Sequence, residues 1–279
     1  MEKILVTTDL SLNSKSGIRF AMRLAEQRNA ELIVLHVFAV SRSASWTSGK
    51  YKEHIAQQKE EQAKRLAAFT RHIERTSKIF KLRYRILAEH GMDTVACILR
   101  CTRRYRATFI CISTHGARAI KKMFGTHTSE LILQSAIPVI TVPSNWRQKA
   151  FSKILYATDM TDYHRELKKV VAFARPVKAT VTMLHLLYKD QPIPDDDMAE
   201  KTLAKEAHYP VKLMYRKMNI ENTIIEEIDD VIAVIKPSIL VLFTHQDRSA
   251  FDRMLFPGIA EEYCFCGNIP LLTFKKSRR

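Results

Sequence analysis

The chain has 279 residues, 46% of them hydrophobic and 27% charged, which suits a globular protein of about two domains. No apolar run approaches ~18 residues, and Asp9 interrupts the short run Ile4-Leu5-Val6, so neither a membrane span nor a secretory leader is expected. The net charge of +16 is uneven: residues 1–146 hold 24 Lys and Arg against 11 Asp and Glu, and residues 147–279 hold 21 against 18.

A basic face attracts phosphates, nucleic acid or anionic lipid. Aromatic side chains are not interleaved with clusters such as Arg100, Arg103, Arg104 and Arg106, which disfavours a base-stacking surface. The five cysteines show no disulfide framework and no zinc-site spacing, and they read as buried thiols in a reducing cytoplasm.

Elements follow in alternation. Ile4–Thr7 reads as a strand, and Ile18, Ala21, Met22 and Ala25 mark one face of a helix. Leu32–Val37 is a second strand. A polar segment, Ser41–Lys52, leads into a helix with Leu66, Phe69 and Ile73 on one side. Leu82–Ala88 is a third strand, Val95, Ile98 and Leu99 mark a helix, and Thr108–Ser113 is a fourth strand. A short helix, Thr126–Gln134, and a fifth strand, Pro138–Val142, complete the half. The second half gives strands at Ile154–Ala157, Val181–Leu187, Val211–Tyr215, Ile239–Phe243 and Pro270–Phe274. Near-continuous apolar strands such as Phe109–Ile112 are buried on both faces, as in parallel sheets with helices on either side.

The halves are copies. Lys3–Ser11 returns as Lys153–Thr161, Leu35-His36 as Leu184-His185, Thr114-His115 as Thr244-His245, and Ile137-Pro138 as Ile269-Pro270. The domains are therefore 1–146 and 147–279, with the first copy carrying about twenty extra residues, mainly in Ser41–Lys64.

In open parallel sheets, ligands bind beyond the carboxyl ends of strands where the order reverses. Asp9 follows the first strand of copy one, and Ser113-Thr114-His115-Gly116 follows the fourth. Gly125-Thr126 opens the next helix, where free N–H groups suit an anion, and Arg118, Lys121 and Lys122 add positive charge. In copy two Gly116 becomes Gln246, and Gly125 aligns with Pro257, which has no N–H. Glu261 and Glu262 enter the helix start there, where carboxylates repel phosphate. His36 and His185 recur at one strand position and read as structural. No base, nucleophile and orienting group assembles from spacing, so no enzyme is expected.

These residues resemble the universal stress proteins in their tandem form. The likeness rests on Lys3–Ser11, Leu35-His36-Val37, Thr114-His115-Gly116 through Gly125-Thr126, and Ile137-Pro138-Val139. It implies an α/β fold of two tandem open parallel five-stranded sheets, order 3-2-1-4-5, like the adenine-nucleotide alpha hydrolases. Members that bind ATP carry G-x-x-G, nine residues, then G-[S/T]. Here Ser113 replaces the first Gly, and eight residues separate Gly116 from Gly125. By resemblance, Asp9 faces the adenosine, Val37 offers its backbone to the adenine, and Ser113, Gly116, Gly125, Thr126 and His127 line the ribose and phosphates.

The resemblance implies a cytoplasmic, non-catalytic stress-response protein that binds ATP or a related adenine nucleotide in copy one as a sensor or regulator, with Mg²⁺ accompanying ATP. It also implies pairing of the halves as a pseudo-dimer through their fifth strands, and it allows a homodimer. The alternative is an interaction module with a vestigial nucleotide site, whose basic half meets an acidic partner or nucleic acid.

Overall fold

A computed structural model describes residues 1–77, 79, 82–114, 127–147, 150–188, 190–194, 196–244, 259–260, 263 and 267–276. The chain divides into two compact units, which meet in sequence near residue 148.

The first unit contains β1 (Lys3–Thr7), α1 (Lys15–Arg28), β2 (Glu31–Phe38), α2 (Ser48–Ser77), β3 (Tyr84–His90), α3 (Thr94–Tyr105), β4 (Phe109–Thr114), α4 (His127–Gln134) and β5 (Val139–Pro143). Its strands run parallel in the order β3-β2-β1-β4-β5. The second unit contains β6 (Lys153–Ala157), α5 (Tyr163–Val177), β7 (Thr180–Leu187), α6 (Asp196–Ala207), β8 (Val211–Lys217), α7 (Ile224–Ile235), β9 (Ile239–Thr244) and β10 (Leu271–Lys275). Its order, β8-β7-β6-β9-β10, is the same arrangement.

Every strand anticipated from hydropathy is present. β3 begins two residues later than Leu82, because its pairing with β2 opens at Leu32 and Tyr84. α2 starts at Ser48, inside the segment read as polar loop: the Thr47 hydroxyl accepts the Lys50 N–H at 3.2 Å and starts the turn.

Helix ends are written locally. Asp93 caps α3 by accepting the Ala96 N–H at 2.9 Å. Thr223 and Glu226 form a reciprocal capping box on α7. α1 closes on Asn29 at φ 51°, a left-handed position that asparagine tolerates better than most residues. The core is aliphatic, with Ile4, Leu5, Leu32, Ile33, Ile110 and Ile140 fully buried in the first unit.

The two sheets match residue for residue. Val6 pairs with Val34 and Cys111, and Tyr156 pairs with Met183 and Val241. Ser113 sits opposite Val142 and Phe243 opposite Phe274. Equivalent positions can therefore be compared atom by atom at the point where each sheet reverses its order, between β1 and β4 and between β6 and β9.

Candidate functional site

After β1 and after β6 the chain makes one and the same turn. The Thr8 hydroxyl accepts the Leu10 N–H at 3.0 Å, and the Thr158 hydroxyl accepts the Met160 N–H at 3.0 Å. Leu10 and Met160 both take φ 64°, a region that L side chains rarely adopt. Asp9 Oδ1 accepts the Ser11 N–H, and Asp159 Oδ1 accepts the Thr161 N–H, both at 3.0 Å. A histidine ring holds each turn from the neighbouring strand: His36 Nδ1 is 2.8 Å from the Thr8 carbonyl oxygen, and His185 Nδ1 is 2.9 Å from that of Thr158. The paired histidines are structural, as their recurrence suggested.

What surrounds the turn differs sharply. In the first unit the neighbours are small. The Ser14 hydroxyl lies 2.6 Å from that of Thr8 and donates to the Ser11 carbonyl at 2.9 Å. Ser113 turns its hydroxyl into α1, accepting the Gly17 N–H at 3.0 Å and donating to the Ser14 carbonyl at 3.3 Å. A Cβ at Gly17 would stand 2.4 Å from the Ser113 oxygen, so any larger residue there would force that hydroxyl to shift. Asp9 is exposed. Burial pushes its carboxyl upward, but hydrogen bonds from Ser11 and Ser14 outweigh this and hold it below the usual carboxylate value. It is thus an anionic acceptor standing at the carboxyl edge of the sheet.

In the second unit the same space is filled. Tyr156 replaces Val6, and by strand register Phe243 replaces Ser113, Phe274 replaces Val142 and Lys276 replaces Ser144. The matching ends of α1 and α5, where Ala25 and Ala174 accept the cap N–H groups, put Glu166 in the place of Gly17. Phe243 stacks on Phe274, with ring centroids 5.1 Å apart, and meets Tyr156 edge-on at 5.7 Å. The Lys276 ammonium donates to Asp159 Oδ2 at 2.6 Å and to the Thr161 hydroxyl at 2.9 Å, and lies 3.7 Å from Glu166 Oε1. The Tyr156 hydroxyl donates to Glu166 Oε2. Burial works to raise the Asp159 carboxyl, yet the bonds from Lys276 and Thr161 bring it down to about 2. Sequence reading missed Lys276.

Of the residues expected to contact nucleotide, the structure brings Asp9 and Ser113 to the reversal point through their shared contacts with Ser14 and α1. Val37 is half-buried near the end of β2, paired with Glu89 of β3. His127 is exposed and opens α4. Gly116, Gly125 and Thr126 lie outside the described residues, as do His115, the cationic loop positions and the Gln246–Gly258 segment of copy two. Asp9 is the described group suited to a ribose hydroxyl. Among the described residues no cluster of His, Cys, Asp or Glu could hold a metal ion.

The extra segment of copy one was read only as polar. It also builds an aromatic group at the ends of β2 and β3: Trp46 lies 4.7 Å from His54, and Tyr51 lies 6.2 Å from His90. The Tyr51 hydroxyl donates to the Val40 carbonyl at 3.0 Å. Cys97, Cys101 and Cys111 are buried free thiols. No described helix is long and apolar enough to cross a membrane.

The model of the universal stress protein family matches residues 1–143. A universal stress protein from Archaeoglobus fulgidus has a similar fold, with a TM-score of 0.71 at 17% identity over 99% of this chain and 98% of that one. A functionally unknown protein from Pseudomonas aeruginosa follows at 0.58 and 13%, over 99% and 92%. A search of curated proteins found no match. The chain belongs to the universal stress protein family, in the tandem form that carries two such folds in one polypeptide.

Proposed function

We propose that the protein is a cytoplasmic, non-catalytic stress-response regulator that binds one adenine nucleotide, ATP with Mg²⁺, and binds it in the first unit alone. Residues 1–146 and 147–279 act as two universal stress protein domains forming an intramolecular pseudo-dimer. The observation that carries the reading is the contrast at the reversal point. Asp9 stands exposed among serines and a glycine, whereas its counterpart Asp159 is tied to the buried Lys276. An aspartate already held by a lysine has no incentive to exchange that bond for a neutral ribose hydroxyl, because charge-assisted hydrogen bonds are roughly twice as strong as neutral ones. The stacked Phe243 and Phe274 rings, with Tyr156 edge-on, also add bulk where the first unit has Ser113, Val142 and Val6.

In the first unit, Asp9 accepts from the ribose, the Val37 backbone meets the adenine, and Ser113, Gly116, Gly125, Thr126 and His127 line the ribose and phosphates. Ser113 acts there through its backbone, since its hydroxyl is committed to α1.

Calorimetry with ATP, with and without Mg²⁺, tests this on the whole chain. One site per chain is expected. Asp9→Ala loses a hydrogen bond to a charged group, roughly 1.5–3 kcal/mol or about tenfold and more in affinity. Asp159→Ala leaves ATP affinity unchanged. Two sites per chain, or loss of binding through Asp159 alone, would overturn the assignment.

A further inference from the structure

The two copies differ in their second helix as well as at the reversal point. In the first unit α2 is a 30-residue helix that buries Leu66, Thr70 and Ile73 as it packs along β2 and β3. Its counterpart α6 has 12 residues and packs along β8. A shorter helix covers less of the sheet, and a cavity of ≈ 320 Å³ opens beside it. This volume is at the small end of the range for ligand sites, about 300–1,000 Å³.

The lining has a consistent chemistry. Leu203 and Leu213 are buried and, with Met160, give it an apolar floor. Tyr163 and Tyr215 supply aromatic walls, and Glu206 supplies a carboxylate. Among the described residues no lysine or arginine lines it, although the protein carries a net charge of +16. His164 braces one side: its ring lies 3.9 Å from that of Tyr163, and its Nδ1 lies 3.0 Å from Glu206 Oε2. Burial and the Glu206 charge both push the Tyr163 phenol up, so it stays neutral at physiological pH.

We propose that this cavity of the second unit is a binding site for a small organic cation, an ammonium group carried on an apolar or aromatic body. The negative faces of tyrosine rings attract a desolvated cation, a carboxylate completes the pairing, and the leucine floor takes the apolar body. The same features repel nucleotides and other anions. The site is independent of nucleotide binding in the first unit, and it gives the copy whose reversal point is closed a ligand of opposite charge.

Three probes of nearly equal size test the proposal on the full chain by calorimetry: 2-phenylethylammonium, the neutral 2-phenylethanol and the anionic 3-phenylpropionate. The ammonium is expected to bind saturably, at least tenfold tighter than the alcohol, with the carboxylate weakest. Glu206→Gln, at a half-exposed position, should erase the advantage of the ammonium over the alcohol. Leu203→Trp should fill the cavity and abolish binding of both, with an unchanged circular dichroism spectrum as the check on folding. The proposal fails if the ammonium does not bind, if alcohol and ammonium bind alike, or if Glu206→Gln leaves the preference intact.

Discussion

Lys276→Met gives the most direct reading of the second unit. The Lys276 and Glu166 side chains are 6% and 4% exposed and 3.7 Å apart. At that distance and an effective dielectric of ~20, their attraction is about 4.5 kcal/mol, from which the desolvation of both charges is subtracted. Removing the lysine deletes the attraction and leaves the buried Glu166 carboxylate with the Tyr156 and Thr158 hydroxyls as its donors among the described residues. Breaking a buried pair from one side costs about 3–5 kcal/mol. The methionine keeps most of the volume of the stem, so packing loss adds little. Glu166→Gln with Lys276→Met removes both charges and should recover most of the loss, because a neutral amide is cheaper to bury than an unpaired carboxylate. Urea unfolding followed by circular dichroism measures both. Trp46 and Trp146 lie in the first unit, so tryptophan fluorescence reports that unit separately. A single variant that loses less than about 1 kcal/mol, or a double variant no better than the single one, refutes the argument that the buried charge dominates.

Three further outcomes follow from the geometry. Gly17→Ala places a methyl 2.4 Å from the Ser113 oxygen and should cost about 1–3 kcal/mol by overpacking; Ser113→Gly in the same chain should restore most of it, as thermal unfolding would show. The Asp159 carboxyl is depressed to about 2, so its contribution is present above its unfolded value of about 3.9 and is lost as pH falls between the two. An acid titration should show that loss in the parent chain and a flatter curve with Lys276→Met. Thr223→Ala breaks the capping box of α7 and should lower stability by about 1 kcal/mol in the same urea assay.

The repeat made the fold legible, because parallel strands buried on both faces leave continuous apolar runs that duplicate in order. Boundaries shifted by a residue or two where pairing, rather than hydropathy, sets the end: β2 runs on to Phe38 because it pairs there with His90. The place of Asp9 at the carboxyl end of the sheet was legible, because it follows the first strand directly. Lys276 was not, because it stands in the basic run Lys275–Arg279, which reads as a solvated tail. A signal was present in the aligned copies. Gly17 and Ser144 of the first become Glu166 and Lys276 in the second, so two small residues are exchanged for opposite charges at once. The direction of the Ser113 hydroxyl was not read from the sequence either. Its hydroxyl points into α1, and the clue was Gly17, a glycine inside a helix that costs about 0.5–1 kcal/mol relative to alanine unless something must come close.

The shared register makes the two halves mutually translatable. Val6, Gly17, Ser113, Val142 and Ser144 stand where Tyr156, Glu166, Phe243, Phe274 and Lys276 stand, on strands paired in identical phase. Under the proposed function, the second copy therefore supplies a template for closing the first. Grafting the five residues as a set would transplant a packing solution that already works on this scaffold, while the strained Thr-Asp turn and its bracing histidine stay untouched. If the first unit binds nucleotide as proposed, such a chain would separate the effects of the ligand from those of the protein's mere presence.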